Sequence, residues 1–571
     1  MENAQVAAIF SEIGDLLELK EANQFRIRSY RNAARTIRDL SRQLEDMVDD
    51  GEDLTELPNI GESTAEKIHE ILDTGTCQRL EELREELPGD LPRLMRVPQV
   101  GPRKAMQLYK ELGVDSIEDL RKACEEHDVR ELDGMGEKTE QNILEGIQML
   151  EKTSGRMLYR DAAEHVESLG RHLDSCDALK RWQVAGSFRR CRETVGDLDI
   201  LVQASDREEA TEQILDQDSI AEVMSRGKER VTVRLDSGLQ IDFRFFEPES
   251  FGSALLYFTG SKAHNIAVRK LAVERDWKLN EYGLFKDDNR LAGKTEESVY
   301  HRLNLEWVPP EMREDRGEVQ AAAEDALPTL IELDDIRGDL QSHTDETDGN
   351  NTLEEMAEAA RERGYEYLAI TDHSKAVSVA GGMDEDRLRE RADAIRQLDA
   401  SLDDIRLLAG VEVDILKDGS LDLDEDVLAE LDWVLASIHY NMNMDEGKMT
   451  DRMLTAVRSG VVHCLGHPTD RIIGEREPVS FDADRIFEAC AEEGVWIEIN
   501  AQPDRLDLPD TYCKRALEAG VRFTISTDAH KRADLDFMRY GVAVARRGWL
   551  EKDDVLNTRG VNELLESIKR S

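Results

Sequence analysis

Long apolar runs and paired cysteines are both missing from this chain of 571 residues. Without an apolar run of about 20 residues, no transmembrane helix is predicted. The first ten residues, MENAQVAAIF, lack the basic flank of a signal peptide, so we expect a soluble cytoplasmic protein. The seven cysteines are odd in number and form no Cys-x-x-Cys pair, which argues against a zinc ribbon or a disulfide framework.

Basic residues are scarce: 74 lysines and arginines stand against 123 aspartates and glutamates, a net charge of −49. This balance normally argues against nucleic acid as a partner. The acidic residues are nevertheless spread over every segment, as in proteins of halophiles, and we expect a halophilic archaeon as the source. At ~1 M salt the Debye length is only ~3 Å, which screens repulsion from DNA. Because such salt also weakens lysine and arginine contacts with phosphate, backbone N–H groups and metal ions are expected to hold DNA.

Three similar segments within the first 150 residues each place an apolar residue and a turn ending in glycine before a helix. They cover residues 57–61, 97–101 and 132–136. The pattern resembles the helix-hairpin-helix motif, in which a glycine lets phosphate oxygens approach the N–H groups of the following helix. A single copy would be an ordinary turn between helices. Three copies predict sequence-independent DNA binding at Gly61, Gly101 and Gly136.

A group of aspartates stands where the pattern changes to short strands. Asp197 and Asp199 are two apart at the start of an apolar strand, which places both carboxylates on one face. A later hairpin can bring Asp242 beside them, and Gly186-Ser187 can begin a helix whose N-terminus holds a triphosphate. Single aspartates commonly cap surface strands. The whole set instead predicts a two-metal site, with ions roughly 3.5–4 Å apart.

Metal-binding side chains recur after apolar runs in the last third of the chain, where alternating strand and helix patterns predict βα units. Barrel enzymes place their sites at such strand ends. Mixed histidine and carboxylate ligands favour Mn²⁺, Zn²⁺ or Fe²⁺ over Ca²⁺. We expect two or three ions that share Glu412, and a structural role for His463, which lies inside a strand. The predicted ligands are His343, Asp348, His373, Glu412, His439, His467, Asp528 and His530.

The segment 186–202 is similar to family X DNA polymerases, the polymerase β-like enzymes, and the similarity extends over about residues 1–315. At the two-metal site we expect Asp197 and Asp199 to bridge both Mg²⁺ or Mn²⁺ ions, with Asp242 beside the primer 3′-hydroxyl. Cys191 departs from the glycine that is usual in the family, and a small local adjustment is expected there. The implied nucleotide-binding residues are Ser187, Arg190 and Gly196 for the triphosphate, Tyr257, Phe258 and Gly260 under the sugar, and Asn265 and Arg269 on the minor-groove side.

The same resemblance raises the question of an abasic-site lyase in the N-terminal domain. Lys67 matches the lysine that forms a Schiff base with an abasic sugar in polymerase β-like enzymes. Arg26 and Tyr30 match other positions of that 5′-phosphate pocket, whereas Ser63 stands where a further lysine is usual. A solvated surface lysine explains Lys67 equally well, so both interpretations stay open.

The C-terminal pattern resembles the polymerase and histidinol phosphatase (PHP) domain. A PHP domain that follows a family X polymerase implies a Mn²⁺-dependent 3′→5′ exonuclease or 3′-phosphatase. Many such domains begin with His-x-His, whereas this chain has Gln341 two residues before His343. An amide is a poor ligand, so the first metal site is expected to be weaker, or to be completed by Glu412, Asp528 and His343.

Together these patterns predict a multidomain protein, because one hydrophobic core rarely grows beyond roughly 250–300 residues. We expect an α-helical N-terminal domain, an α-helical helix-hairpin-helix domain, an α+β nucleotidyltransferase palm, a nucleotide and template subdomain, a linker, and a distorted PHP-type (β/α) barrel. The corresponding residues are 1–80, 81–150, 151–250, 251–315, 316–333 and 334–571.

The predicted function is DNA synthesis that fills short gaps during repair. The expected substrates are dNTPs, gapped or nicked duplexes and DNA 3′ ends, and the enzyme is expected to be a monomer. Two alternatives remain. One is an end-processing phosphoesterase whose polymerase half mainly binds DNA, which the intact aspartate set disfavours. The other is a non-catalytic scaffold for DNA ends, which both metal-binding patterns disfavour.

Overall fold

The computed structural model describes residues 3–569 with short gaps at 21, 39, 41–43, 50, 52, 58, 88–90, 95–96, 98–99, 133, 153–155, 475 and 477. It divides into two compact units. The first comprises Met1–Met157 with Ser237–Leu239, and the second comprises Leu158–Asp236 with Gln240–Ser571. None of the described helices combines the length and the apolar composition that crossing a membrane requires.

The first unit is built from helices around one apolar core. As predicted from its period, the N-terminal segment buries Phe10, Ile13 and Leu16 on one face. The helices are α1 (Asn3–Leu19), α2 (Gln24–Arg38), α3 (Leu44–Asp49), α4 (Glu62–Thr74), α5 (Gln78–Glu86), α6 (Leu91–Leu94), α7 (Pro102–Leu112), α8 (Ile117–Glu125) and α9 (Glu137–Lys152).

Three of these helices follow the predicted glycine turns. Gly61, Gly101 and Gly136 directly precede α4, α7 and α9, although turn positions 58, 98–99 and 133 lie outside the described residues. A Cβ built on any of the three glycines would meet nothing within 4 Å. The three helices therefore begin at open surface, as backbone contact with phosphate requires.

The second unit begins with a palm, an α+β sheet flanked by helices. Its five strands run in the order β2-β4-β7-β6-β5, and only β4 and β7 pair in parallel. The elements are β1 (Met157–Leu158), α10 (Tyr159–Ser175), β2 (Leu179–Val184), α11 (Gly186–Arg189), β3 (Thr194–Val195), β4 (Asp197–Ala204), α12 (Arg207–Leu215), β5 (Ile220–Arg226), β6 (Arg230–Leu235) and β7 (Gln240–Phe245).

A helical subdomain with a three-stranded antiparallel sheet follows the palm. Its elements are α13 (Phe251–Thr259), α14 (Lys262–Val273), β8 (Lys278–Asn280), β9 (Gly283–Lys286), β10 (Asn289–Ala292) and α15 (Glu296–Arg302).

The segment 316–333, which is predicted to be a linker, contains a short helix and buried residues. It contains α16 (Glu318–Ala323), whose first residue is fully buried and accepts hydrogen bonds from His264 Nδ1 (2.6 Å) and the N–H of Arg316 (2.7 Å). Ile331 is also buried, and its N–H donates to the carbonyl of Leu550. Contacts with His264 and Leu550, which are distant in the sequence, therefore hold parts of this segment in place.

The C-terminal region is a parallel sheet of seven strands in chain order, with helices between them. An isolated parallel bridge between Ser342 and Ala529 brings the first and last strands together, so the sheet nearly closes into a barrel. The elements are β11 (Gly338–Asp339), α17 (Leu353–Glu362), β12 (Tyr367–Ile370), α18 (Glu385–Asp399), β13 (Arg406–Asp414), α19 (Glu425–Leu428), β14 (Trp433–Ser437), α20 (Glu446–Val457), β15 (Cys464–Leu465), α21 (Ala483–Glu493), β16 (Trp496–Asn500), α22 (Asp510–Glu518), β17 (Phe523–Ser526), α23 (Met538–Arg547) and α24 (Val561–Ser567).

Candidate active sites

The palm brings the predicted aspartates together on one face of two interior strands of its sheet, β4 and β7. Asp199 on β4 lies directly opposite Asp242 on β7, because the two strands pair in parallel register. Asp197 is two residues before Asp199 on the same strand and therefore faces the same side. Asp197 is exposed, Asp199 is half-buried and Asp242 is buried. The three carboxylates form a cluster that can hold divalent cations.

Arg244 is a site residue that the sequence analysis missed. Its Nε donates to Asp199 Oδ1 and its Nη2 donates to Asp242 Oδ2, both at 2.7 Å. Thr232 Oγ1 donates to the other oxygen of Asp242 at 2.6 Å. Arg244 stands two residues after Asp242 on β7, so the period of two could have placed it on the same face.

The surroundings of Asp199 disfavour its negative charge. Burial raises its pKa, and the negative charges of Asp197 and Asp242 act in the same direction, whereas Arg244 opposes them. The resulting pKa lies above the ordinary value of 3.8. An added cation would relieve this mutual repulsion, so the site is suited to a positive charge.

The loop 186–196 lies beside these carboxylates. Gly186 has φ +68°, and a Cβ built on it would contact Asp199 Oδ2 at 3.6 Å. Cys191, where the family usually has glycine, has φ +52°, so the backbone keeps the left-handed conformation that glycine favours. Its thiol lies 3.5 Å from the hydroxyl of Tyr159, and burial raises its pKa to about 11, which makes it a poor nucleophile.

The other predicted loop residues differ in their exposure. Ser187 and Gly196 are half-buried at the loop surface. Arg190 instead directs its guanidinium inward, where Nε donates to Glu314 Oε1 at 3.0 Å and Nη1 donates to the carbonyl of Thr259. A direct contact between the Arg190 side chain and a triphosphate therefore stays a prediction, and these contacts compete with it.

The segment expected under the nucleotide sugar forms the end of α13. Tyr257 and Phe258 have ring centroids 5.0 Å apart, and the Arg244 guanidinium lies 4.3 Å from the Phe258 centroid. Gly260 has φ +68° and joins α13 to α14, where Asn265 donates to the carbonyl of Tyr257. Arg269 is exposed on α14, among the residues predicted to face the new base pair.

The ligands predicted in the barrel lie at or near the C-terminal ends of its strands, and four histidines converge on Glu412, which lies within β13. The distances from its carboxylate are 2.9 Å to His467 Nε2, 3.3 Å to His373 Nδ1, and 3.4 Å to both His439 Nε2 and His343 Nε2. Glu412 is almost completely buried. The carboxylate therefore occupies the central place that the sequence analysis gave it.

Three overlapping groups in the barrel have ligand atoms within 4.8 Å of one another. One joins His373, Glu412 and His439, and another joins His343, Glu412 and Asp528. The latter is the set expected to compensate for Gln341, whose buried amide atoms have no hydrogen-bond partner among the described residues. The third group comprises His343, Asp348, His373 and His530.

The donor set fits divalent metal ions. Among the described residues, the buried Nδ1 atoms of His343, His439 and His467 make no hydrogen bond and lie 3.9, 3.8 and 3.8 Å, respectively, from a carboxylate oxygen. Unpaired buried nitrogen atoms are costly unless a further partner binds them. Imidazole and carboxylate together are the ligands of Mn²⁺, Zn²⁺ and Fe²⁺ sites.

The charges of this cluster shift several pKa values. Burial would raise the pKa of Glu412, but His373 and His439 hold it well below its usual range. Burial would lower the pKa of His439 and His530, but Glu412 and Asp348, respectively, raise both to about 10. Groups with such mutual dependence are typical of functional sites.

A second set of buried polar residues supports the ligands and was missed from the sequence. Glu498 Oε2 accepts from the N–H of His467 at 2.9 Å, and Asn500 Nδ2 donates to Asp528 Oδ2 at 3.1 Å. His467 and Asp528 have φ values of +25° and +51°, and the main chain at Asp528 is held by Gln502, whose Nε2 donates to the Asp528 carbonyl at 2.7 Å. Glu498 lies inside the apolar strand β16 rather than at its end, so the pattern of polar residues at strand ends did not indicate it.

His463 takes the structural role predicted for it. Its Nδ1 accepts from the N–H of Val434 at 3.0 Å, its Nε2 lies 3.1 Å from the carbonyl of Ile568, and its ring stacks on Trp433. It lies just before β15 rather than within it.

The candidate lyase residues lie in the first unit. Lys67 is half-buried on α4, and its Nζ donates to the hydroxyl of Ser63 at 2.9 Å and to the carbonyl of Ser63 at 2.8 Å. Burial raises the pKa of Tyr30, against the opposing effect of Arg26, which is exposed. A serine hydroxyl thus contacts Lys67 at the position where a second lysine is usual.

Comparison with known protein families assigns most of the chain. The matches are a helix-hairpin-helix domain (1–77), a SAM-like helix-hairpin-helix tandem (91–149), a DNA polymerase beta palm (156–243), a DNA polymerase beta thumb (254–314) and a PHP domain (339–502). These assignments confirm the predicted fold classes of the helical, palm and barrel regions.

Individual relatives give the same assignment. The chain is 38% identical over 575 residues, covering 100% of both proteins, to the DNA polymerase/3′-5′ exonuclease PolX of Bacillus subtilis (strain 168). A probable phosphatase of Thermoanaerobacter sp. (strain X514) is 27% identical over 243 residues, which cover 40% of this chain and 94% of that protein. A probable phosphatase of Photobacterium profundum is 32% identical over 200 residues, which cover 32% and 74%. The chain therefore belongs to the family X DNA polymerases, with a PHP domain after its polymerase beta palm and thumb.

Proposed function

We propose that the chain is a DNA-directed DNA polymerase that fills short gaps during repair and also degrades DNA from the 3′ end. The observation that carries the first activity is the register of Asp199 opposite Asp242, with Asp197 on the same face. Its close relative from Bacillus subtilis carries both activities in its name. The buried cluster around Glu412 supports the second activity.

At the palm, Asp197, Asp199 and Asp242 would hold Mg²⁺ or Mn²⁺. Bound ions would activate the primer 3′-hydroxyl and stabilise the leaving pyrophosphate. The chain's own part is to orient the dNTP. The N–H groups of loop 186–196, with Ser187 and Gly196, bind the triphosphate.

Other residues of the same half recognise the sugar and the base pair. Tyr257 and Phe258, just before the turn at Gly260, exclude a ribose 2′-hydroxyl. Asn265 and Arg269 contact the minor-groove side of the new base pair. These roles follow from the family resemblance and agree with the exposure of Tyr257 and Arg269.

DNA is held mainly through backbone groups. The open N-termini after Gly61, Gly101 and Gly136 supply N–H donors to phosphates, and these contacts tolerate a net charge of −49 at high salt. We propose monomeric gapped-DNA binding, with Arg26 and Tyr30 near the 5′-phosphate and Lys67 as a lyase nucleophile. Borohydride trapping on an abasic duplex tests the lyase, which Lys67→Ala should abolish and Ser63→Ala should not.

In the barrel, His343, Asp348, His373, Glu412, His439, His467, Asp528 and His530 would hold two or three ions, of which Mn²⁺ is the first candidate. Bound ions would activate water and neutralise the phosphate during hydrolysis. Glu412 and the histidines around it fix the ligand geometry. Glu498 holds the main-chain N–H of His467, and Asn500 orients the carboxylate of Asp528.

A one-nucleotide gap tests the polymerase assignment. The wild type should insert one dNTP with Mg²⁺ or Mn²⁺, and Asp242→Asn should reduce insertion by at least about 10³-fold. Asp236→Asn, which changes an exposed aspartate on the same hairpin, is the matched control. Insertion by Asp242→Asn at the wild-type rate would refute the assignment and favour an end-processing phosphoesterase.

A further inference from the structure

A buried arginine of the barrel contacts the loop of the palm that is assigned to the triphosphate. Arg547, the last residue of α23, has a side chain that is only 4% exposed. Its Nη1 donates to the carbonyl oxygen of Arg190 at 2.7 Å, and its Nη2 donates to Asp510 Oδ2 at 2.6 Å. One guanidinium thus connects the barrel directly to the main chain of loop 186–196.

The same arginine also secures the side chain of Arg190. Arg547 Nη1 lies 3.2 Å from Glu314 Oε1, which accepts from Arg190 Nε at 3.0 Å. Arg190 is therefore held through its carbonyl by Arg547 and through its guanidinium by Glu314. A residue fixed at both its main chain and its side chain cannot shift without breaking several charge-assisted hydrogen bonds.

A second contact lies three residues further along the loop. Arg471 Nη2 pairs with Glu193 Oε2 at 2.8 Å and also donates to the carbonyl of Leu506 in the barrel. Cys191, between the two contacts, has φ +52°, a conformation that a residue with a side chain adopts only when its surroundings impose it. Arg547 and Arg471, which make these two contacts on either side of Cys191, both belong to the barrel.

We propose that Arg547, assisted by Arg471, positions the triphosphate loop, so that the barrel sets the affinity of the polymerase for the incoming dNTP. This proposal rests on the function proposed above for loop 186–196. Arg547 and Arg471 are positioning residues, because they contact the loop and not the nucleotide.

The expected consequence follows from how backbone N–H groups recognise phosphate. They bind phosphate well only when they already point at its oxygen atoms, because a loop that must be ordered during binding loses affinity. Loosening the loop should therefore raise the KM for dNTP. Hydrolysis in the barrel should remain, since Arg547 is not among the residues that converge on Glu412.

Two adjacent arginines provide a matched pair of variants. Arg547→Lys keeps the charge but loses the forked donors that reach two groups at once. Arg546→Lys makes the same change one residue earlier, where the guanidinium bonds Glu311 and the carbonyl of Ile331 instead of the loop. Gap filling gives KM and kcat for dNTP, and hydrolysis of single-stranded DNA by the same preparation reports whether the barrel is intact.

We expect Arg547→Lys to raise the KM for dNTP about tenfold, with kcat changed less than about threefold and hydrolysis unchanged. Arg546→Lys should alter none of them. Glu193→Gln, which breaks the second contact from the loop side, should raise KM in the same direction.

Equal effects of Arg547→Lys and Arg546→Lys would overturn the proposal, because they would indicate general loosening of the interface. An unchanged KM in a folded Arg547→Lys enzyme would also overturn it while leaving the polymerase assignment intact. A wild type that inserts no nucleotide would overturn both.

Discussion

Arg244 bonds Asp199 and Asp242 simultaneously, at 2.7 Å to each, on the face of the palm sheet where the two carboxylates lie opposite one another. The guanidinium neutralises the negative charge that a divalent ion would otherwise neutralise. Ion binding and this pair of hydrogen bonds therefore compete.

The competition predicts how a variant of Arg244 responds to Mg²⁺. Arg244→Met keeps apolar packing against Phe258 but removes the charge, so half-maximal extension should require about fivefold less Mg²⁺. A titration of Mg²⁺ in primer extension measures this. Arg230→Met, which removes a longer 3.4 Å contact from a half-exposed side chain, should change the requirement less. An increased requirement in Arg244→Met would contradict the competition.

A buried ion network in the polymerase half predicts a pH-dependent stability. Burial would raise the pKa of Glu296, but Arg313 and Arg189 hold it at about 2, below its usual 4.5. The difference corresponds to about 3 kcal/mol of stability, complete above pH ~4.5 and lost as pH falls toward 2.

Glu296→Gln should therefore destabilise the protein at pH 7 by about 3–5 kcal/mol, because it also leaves the buried charge of Arg313 without its partner. Urea unfolding at a series of pH values measures the difference in the free energy of unfolding between variant and wild type. This difference should become smaller below pH ~4.5. A gap that is constant with pH would show that the charge of Glu296 is not responsible.

Metal binding in the barrel should release protons. Because the pKa values of His439 and His530 are about 10, both are protonated at pH 7, and ligand histidines must be neutral. Mn²⁺ affinity should consequently fall as pH is lowered from 9 to 6. Calorimetry in buffers of different ionisation enthalpy should detect about two released protons, whereas binding without proton release would contradict the protonated state of these two histidines.

The net charge of −49 predicts that salt stabilises the fold. Screening of self-repulsion should raise the melting temperature by roughly 5 °C or more between 0.1 and 2 M KCl. A thermal scan at several KCl concentrations measures it. A melting temperature that does not change with salt would remove the support for a halophilic origin.

Much of the palm site could be predicted because its signals are local. The period of two placed Asp197 and Asp199 on one face, and the hairpin placed Asp242 on a neighbouring segment. The partner of Asp242 was not local, since β7 pairs in parallel with β4, some 40 residues earlier in the chain. The same non-local packing directs Arg190 inward to Glu314, which no local pattern indicates.

In the barrel, too, local patterns could be predicted and non-local contacts could not. Ligands at strand ends were predictable because each follows an apolar run, and Glu412 was singled out by its place after an apolar run in β13. Glu498 was missed because it interrupts an apolar run, and the packing of 316–333 was missed because Arg316 pairs with Asp510, 194 residues away.

The central claim is that one chain holds two separate active sites, and one gel tests it most directly. A gapped duplex with a 5′-labelled primer is incubated with dNTPs and Mn²⁺ at high salt, with wild type, Asp199→Asn and Glu412→Gln. We expect Asp199→Asn to shorten the primer without extending it, and Glu412→Gln to extend it without shortening it. Loss of both activities in either folded variant would contradict two independent sites.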